Sequence, residues 1–281
     1  YLKPFIARFA SAIRRQHPGA LIFLESEPLQ PEGLPWGEVD PAGVVNASHW
    51  YDAITLFAKR PALRASVDVY TGRPVFGAQQ VRAMFERQIG LLRQHSAQIM
   101  GNCPTLIGEF GLPYDLNGGA AFHTGDWSAH ERLLGLYYDA LDAHLVSATQ
   151  WNYTADNDNR WGDHWNGEDL SIFSRDQQRD PFDVDSGGRA TAGFCRPYAR
   201  RTAGTPTTMR FDRASRTFEL GYTGDPAITA PSEIYVPRIQ YPNGYQATLT
   251  SGRAERDEAN QLLYVYDAEG GEQRVVIFPQ T

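Results

Sequence analysis

Apolar residues recur along the first seventeen positions at Leu2, Phe5, Ile6, Phe9 and Ile13, the 3.6-residue spacing of one helix face. The pattern predicts a helix stopped by His17-Pro18-Gly19. Ala20 to Leu24 is then a short apolar run that predicts a buried strand, ending in Glu25-Ser26-Glu27-Pro28. A second strand opens at Val44-Val45 and reaches Ser48-His49-Trp50-Tyr51-Asp52. Residues 58–78 are polar and predict a loop. Residues 79–100 predict a long helix with Val81, Met84, Phe85, Ile89 and Leu92 on one face. Pro104 to Ile107 predicts the third strand and Val146 to Tyr153 the fourth. Between them lie a glycine-rich loop, 111–126, and a helix, 127–145, with Leu133, Leu134, Tyr137 and Leu141 inward. A long polar loop, 154–186, and a helix at about 187–201 complete this part.

Strands alternating with helices predict βα units and a parallel sheet. Each strand ends in polar or aromatic residues, and in a barrel of parallel strands those ends carry the chemistry. An open sheet would instead concentrate its ligand at one switch point. Four such strand ends favour the barrel. After Ala203-Gly204-Thr205-Pro206 the helical pattern stops, and short strands separated by Gly and Pro turns predict a small antiparallel β-sandwich. The expected organisation is thus 1–204 as α/β barrel and 205–281 as sandwich. An eight-stranded barrel needs eight βα units and about 250 residues, whereas 1–204 hold four. The helix that begins at once at the N-terminus agrees with an absent first half.

Composition narrows the function. The formal charge is −7 over 281 residues, which argues against a nucleic-acid surface. No apolar run approaches the length of a spanning helix. The two cysteines, Cys103 and Cys195, form neither a disulfide framework nor a zinc pattern. Aromatic residues make up 12%, and Trp and Tyr gather at 151–165, where their rings either fill a core or stack on sugar faces.

The chemistry centres on Leu106-Ile107-Gly108-Glu109-Phe110-Gly111. A carboxylate at the end of a buried strand is costly unless it is paired or used. Glu109 is therefore an ion-paired barrel carboxylate, a nucleophile or a general base. His49 and Tyr51 stand two apart, so on a strand they share a face, where a Tyr hydroxyl can hold a carboxylate ionised. Trp151 ends the fourth strand and can floor a sugar subsite. The following loop mixes Asn157, Trp165, Glu168 and Asp169 with further acids and amides, a composition suited to polyols. Its spacing does not match an EF-hand. Glu25 and Glu27 are each a candidate acid partner for Glu109, since retaining glycosidases pair two carboxyl groups about 5–5.5 Å apart. No nucleophile elbow, zinc-protease motif or phosphate loop occurs.

His49-Trp50-Tyr51-Asp52, Pro104 to Gly111, Trp151-Asn152-Tyr153 and Trp165-Asn166-Gly167-Glu168-Asp169-Leu170-Ser171, in this order, resemble glycoside hydrolase family 5. The branch is that of endoglycoceramidases, glucosylceramidases and steryl glucosidases, and the resemblance covers nearly the whole chain. It implies a retaining β-glycosidase acting on a β-glucoside or a glycosphingolipid-type substrate, without metal or organic cofactor, and in contact with a lipid or membrane surface. It implies that the visible strands are the fifth to eighth of a (β/α)8 TIM barrel, with Glu109 as nucleophile. His49, Tyr51, Trp151, Asn157, Trp165, Glu168 and Asp169 are then the substrate-binding set. The family acid/base follows an Asn on the fourth strand, and no Asn-Glu pair precedes Glu109 here. Glu27 lies at the fifth-strand place. The acid/base is therefore expected upstream of Tyr1, with the first half of the barrel supplied by an upstream segment or a second chain, and the isolated chain is expected to be inactive. A non-catalytic carbohydrate- or glycolipid-binding protein is the alternative.

Overall fold

The computed structural model describes residues 1–26, 34–183, 185–267 and 270–280. It divides into two compact units, Tyr1–Asp126 with Val146–Arg189, and Trp127–Leu145 with Ala190–Thr281.

The first unit contains α1 (Leu2–Gln16), β1 (Ile22–Leu24), β2 (Val44–Asn46), α2 (Ala53–Ala58), β3 (Ala65–Asp68), β4 (Arg73–Phe76), α3 (Ala78–Gln98), β5 (Leu106–Phe110), α4 (Leu116–Thr124) and β6 (Ser147–Gln150). β1 runs parallel to β2, and β5 parallel to β6. The two pairs are joined by the parallel bridge Asn46–Thr105 and by bonds from Gly108 N to Ser48 O (3.1 Å) and from Trp50 N to Glu109 O (2.9 Å). The sheet order is therefore β1-β2-β5-β6, all parallel, as the alternating strand and helix pattern predicts. α3 buries Val81, Met84, Phe85, Ile89 and Leu92, the face its periodicity marks. α1 differs from its pattern. Only Ile6 and Ala10 are buried, against Ile22, Leu24, Trp36, Val44 and Met100. Leu2, Phe5, Phe9 and Ile13 remain exposed, with Phe5 and Phe9 stacked at 6.2 Å.

The polar stretch 58–78 is more ordered than its composition suggests. β3 and β4 form an antiparallel hairpin around Thr71-Gly72. Gly72 has positive φ, and Asp68 accepts from Tyr70 N and Thr71 Oγ1. An Asx-type turn of this kind needs no apolar signal.

The second unit contains α5 (Ser128–Ala143), α6 (Thr191–Phe194) and eight strands: β7 (Tyr198–Arg201), β8 (Gly204–Asp212), β9 (Thr217–Gly224), β10 (Ser232–Tyr235), β11 (Tyr245–Leu249), β12 (Arg253–Asp257), β13 (Leu262–Tyr266) and β14 (Gly271–Pro279). They form two four-stranded antiparallel sheets, ordered β12-β13-β10-β7 and β11-β14-β9-β8. Phe211, Phe218, Leu220, Val275 and Ile277 of one sheet meet Ile234, Leu263 and Val265 of the other in one core, as a sandwich requires. The helix expected at 187–201 is reduced to α6. Pro197 biases Arg196 away from helical backbone and offers no N–H of its own, so the chain leaves as strand β7. β12 is an edge strand with no buried residue and so shows no apolar alternation in the sequence. Both cysteines are free thiols. No helix among the described residues is long and apolar enough to cross a membrane.

Candidate active site

Gly108 and Gly111 explain how Glu109 reaches its place. A Cβ on Gly108 would lie 2.5 Å from Ala47 O, and one on Gly111 2.3 Å from Trp151 O. Both contacts are with backbone, so only glycine lets β5 pass this close to the residues following β2 and β6. Trp151 N in turn donates to Phe110 O at 2.8 Å, and Thr149 Oγ1 donates to Gly108 O. The peptide Trp151–Asn152 is cis.

His49-Trp50-Tyr51-Asp52 lies just beyond β2, and its residues divide between two tasks. Trp50 is buried, and its indole N–H donates to Gln88 Oε1 on α3 at 2.9 Å. Asp52 caps α2 by accepting from Thr55 N at 2.7 Å, and also accepts from Ser66 Oγ. These two anchor the segment. His49 and Tyr51 turn the other way, onto Glu109. Tyr51 Oη donates to Glu109 Oε2 at 3.1 Å. His49 Nδ1 lies 3.3 Å from the same Oε2 and 2.9 Å from Glu25 Oε1. Burial, and then the charge of Glu109, push the Tyr51 phenol far above its ordinary value. It therefore remains a proton donor to the carboxylate throughout the physiological range. Glu168 and Glu25 act on it in the same direction, so three carboxylates surround one phenol.

The loop after β6 is organised by a buried polar network. Asn157 is fully buried, and its amide nitrogen donates to Asp163 Oδ1 (2.8 Å) and Asp169 Oδ1 (2.9 Å). Asp163 Oδ2 accepts from Asn152 Nδ2 and Leu170 N. Arg189, also fully buried, grips Asp169 with both terminal nitrogens (2.6 and 3.2 Å), donates to Ser171 O from Nε, and lies over the Tyr114 ring at 4.4 Å. Asn157 and Asp169 thus sit inside the loop, tying it together. Trp161 and Trp165 stand on its exposed side, and Glu168 is half-buried.

The structure therefore brings Glu109, His49 and Tyr51 into direct contact. It places Trp151 beside Phe110 through the backbone and Glu168 near enough to act on Tyr51. Glu27 lies outside the described residues. Glu25's contact with His49 is not readable from sequence, because nothing in the chain announces which side chains adjoin across β1 and β2. Arg189 and Asp163 likewise carry no local signal; their role exists only through the folded loop. Asn46 and Asn152, each the Asn of an Asn-x-Ser/Thr triplet, are both engaged internally, with Asn46 Nδ2 bonded to Ser96 Oγ and Asn152 Nδ2 to Asp163.

Residues 196–277 match the glycoside hydrolase family 5 C-terminal domain. A glucosylceramidase of Rhizopus delemar is 31% identical over 94% of this chain and 42% of its own length. Sterylglucosidase 1 of Cryptococcus neoformans superposes with a TM-score of 0.89 at 27% identity, over 99% of this chain and 44% of that one. Endoglycoceramidase II of Rhodococcus sp. shares the fold with a TM-score of 0.68 at 20% identity, over all of this chain and 54% of that one. The chain thus spans less than half the length of the first two relatives. The sequence, domain and fold matches agree: the chain belongs to glycoside hydrolase family 5, in its glucosylceramidase- and steryl glucosidase-like branch.

Proposed function

We propose that this chain carries the nucleophile and part of the sugar site of a retaining β-glycosidase acting on a lipid-linked β-glucoside. The observation that carries the reading is the hydrogen bonding of Glu109. Tyr51 Oη donates to Oε2 and His49 Nδ1 stands 3.3 Å from the same oxygen, while Oε1 has no hydrogen-bond partner among the described residues. One oxygen is held and the other is available for attack.

In this reading Oε1 attacks the anomeric carbon, forming a C–O bond as the bond to the aglycone oxygen breaks. A general acid protonates the leaving oxygen, and the same group then takes a proton from the water that cleaves the glycosyl ester. No Asn-Glu pair precedes Glu109, so the general acid comes from outside these 281 residues. β1, β2, β5 and β6 are then the fifth to eighth strands of a (β/α)8 barrel, a reading supported by their parallel chain-order sheet and by the short span of the relatives that is matched. Trp151 floors the glucose, and His49, Glu168 and Trp165 contact its hydroxyls or the aglycone. Asn157 and Asp169 act from within the loop. The glycolipid class is supported by the names of the relatives, a glucosylceramidase and a sterylglucosidase, and exposed Trp161, Trp165 and Tyr153 suit an apolar aglycone or lipid surface.

The test uses Glu109→Gln in the complete polypeptide, with a 2-fluoro β-glucoside as covalent trap. Turnover should fall by at least about a thousandfold, and the trap should label a peptide containing Glu109. Undiminished turnover, or labelling elsewhere, would sink the assignment. Sugar binding with no hydrolysis by the complete polypeptide would favour the binding-protein alternative.

A further inference from the structure

We propose that Glu25 is a positioning residue for the nucleophile, acting through His49. This rests on the reading of Glu109 above. His49 Nδ1 has two carboxylate neighbours, Glu25 Oε1 at 2.9 Å and Glu109 Oε2 at 3.3 Å. One ring nitrogen carries at most one hydrogen, and the shorter contact is with Glu25. The nearer Glu25 carboxylate favours, by its charge, the tautomer with the hydrogen on Nδ1 and draws the ring toward itself, and the longer contact to Glu109 follows from that orientation.

The pairing is built into the backbone on both sides. Before it, Ala47 N donates to Leu24 O at 2.7 Å. One residue on from Glu25, Ser26 Oγ meets Ser48 Oγ at 2.8 Å, and Ser48 Oγ donates onward to Asn46 Oδ1 at 2.7 Å. The Ser48 hydroxyl hydrogen is thus committed to Asn46, so Ser26 is the donor to Ser48. Glu25 is held between these two ties, and His49 directly follows the second, between the bonds from Gly108 N to Ser48 O and from Trp50 N to Glu109 O. His49 Cδ2 also lies 3.1 Å from where a Cβ on Gly108 would stand, so the ring fits closely against β5.

The arrangement has a use in double displacement. When Glu109 becomes a glycosyl ester it loses its charge and its hold on His49. Glu25 keeps its contact with Nδ1 through that stage, so the ring is already oriented when water releases the sugar and the Glu109 carboxylate returns.

The experiment has two arms. In the first, ring-nitrogen NMR on the 281-residue chain reads the His49 tautomer, assigned with His49→Asn, in wild type, Glu25→Ala and Glu25→Gln. Neutral His49 should be mainly the Nδ1–H form in wild type, shift severalfold toward Nε2–H in Glu25→Ala, and be largely restored in Glu25→Gln, whose amide oxygen still accepts. An unchanged tautomer in Glu25→Ala would overturn the proposal. In the second, the same variants are placed in the complete polypeptide and assayed on an aryl β-glucoside. Glu25→Ala should lower kcat about tenfold with KM within about twofold, and Glu25→Gln should recover part of the loss. Rescue of Glu25→Ala by azide, with formation of a glycosyl azide, would instead make Glu25 the acid/base. A raised KM at unchanged kcat would make it a sugar contact. Either result overturns a positioning role. If Glu109→Gln retains turnover while the tautomer still depends on Glu25, the nucleophile reading fails and the hold on His49 stands.

Discussion

At the scale of single residues, the site is a competition for one carboxylate oxygen. Glu109 Oε2 accepts from a phenol and stands 3.3 Å from an imidazole nitrogen, and both groups come from a four-residue segment whose other two members serve the core. A charge-assisted hydrogen bond of this kind contributes about 1.5–3 kcal/mol. Tyr51→Phe in the complete polypeptide should therefore lower kcat about tenfold to a hundredfold with little change in KM, measured by steady-state kinetics on an aryl β-glucoside. Because Tyr51 stays protonated, no limb of the pH–rate profile between pH 5 and 9 should disappear in that variant. Gly111 makes a separate prediction. A Cβ there would clash with the Trp151 carbonyl, a backbone atom rather than the end of a flexible side chain. Gly111→Ala should destabilise the fold by about 1–3 kcal/mol in urea titration, with a matching loss of turnover in the complete polypeptide.

At the scale of elements, the loop between β6 and Arg189 is held by charges and amides buried together. Asp169 is paired with fully buried Arg189 and also accepts from Asn157. Removing one partner of such a pair leaves an uncompensated buried charge, at about 3–5 kcal/mol. Arg189→Met should show a loss of that size in chemical denaturation, and Asp169→Asn combined with Arg189→Met should lose less than the single change. Equal losses would mean that Asp169 is solvated in the variant. The sequence makes the loop's composition plain, including Asn157, Glu168 and Asp169, but not the division of labour within it. A polar residue in a loop reads the same whether it faces sugar or faces Arg189. Two of the long helices are the opposite case. The faces of α3 and of α5, with Leu133, Leu134, Tyr137 and Leu141 buried, follow from apolar spacing, because burial of one stripe is what stabilises an amphipathic helix.

At the scale of the whole molecule, the second unit carries its own pH dependence. Arg196 is buried between Asp142 (2.8 Å) and Asp139 (3.0 Å). Burial pushes the Asp142 carboxyl up to about 7, against an unfolded value near 3.8. Between those values the folded state binds a proton that the unfolded state does not. The contribution of Asp142 to stability is therefore greatest at the acid end and declines as pH rises toward 7, with a slope of up to about 1.4 kcal/mol per pH unit. Asp142→Asn should remove that decline from a plot of Tm against pH between 4 and 7.5. A parallel plot for the variant would refute it.

The sequence by itself determined the alternation of the four parallel strands with the long helices, the position of Glu109 at a strand end, and the motif order of family 5. These follow from local rules: periodic burial, proline and glycine punctuation, and short motifs read in line. Only the tertiary structure decided that Tyr51 and His49 share one oxygen of Glu109, that Glu25 reaches His49 across β1 and β2, and that Arg189 locks the loop carrying Trp165 and Glu168. Those are contacts between residues far apart in the chain. Backbone approach at Gly108 and Gly111 and the exclusion of water create them, and no spacing along the chain records either.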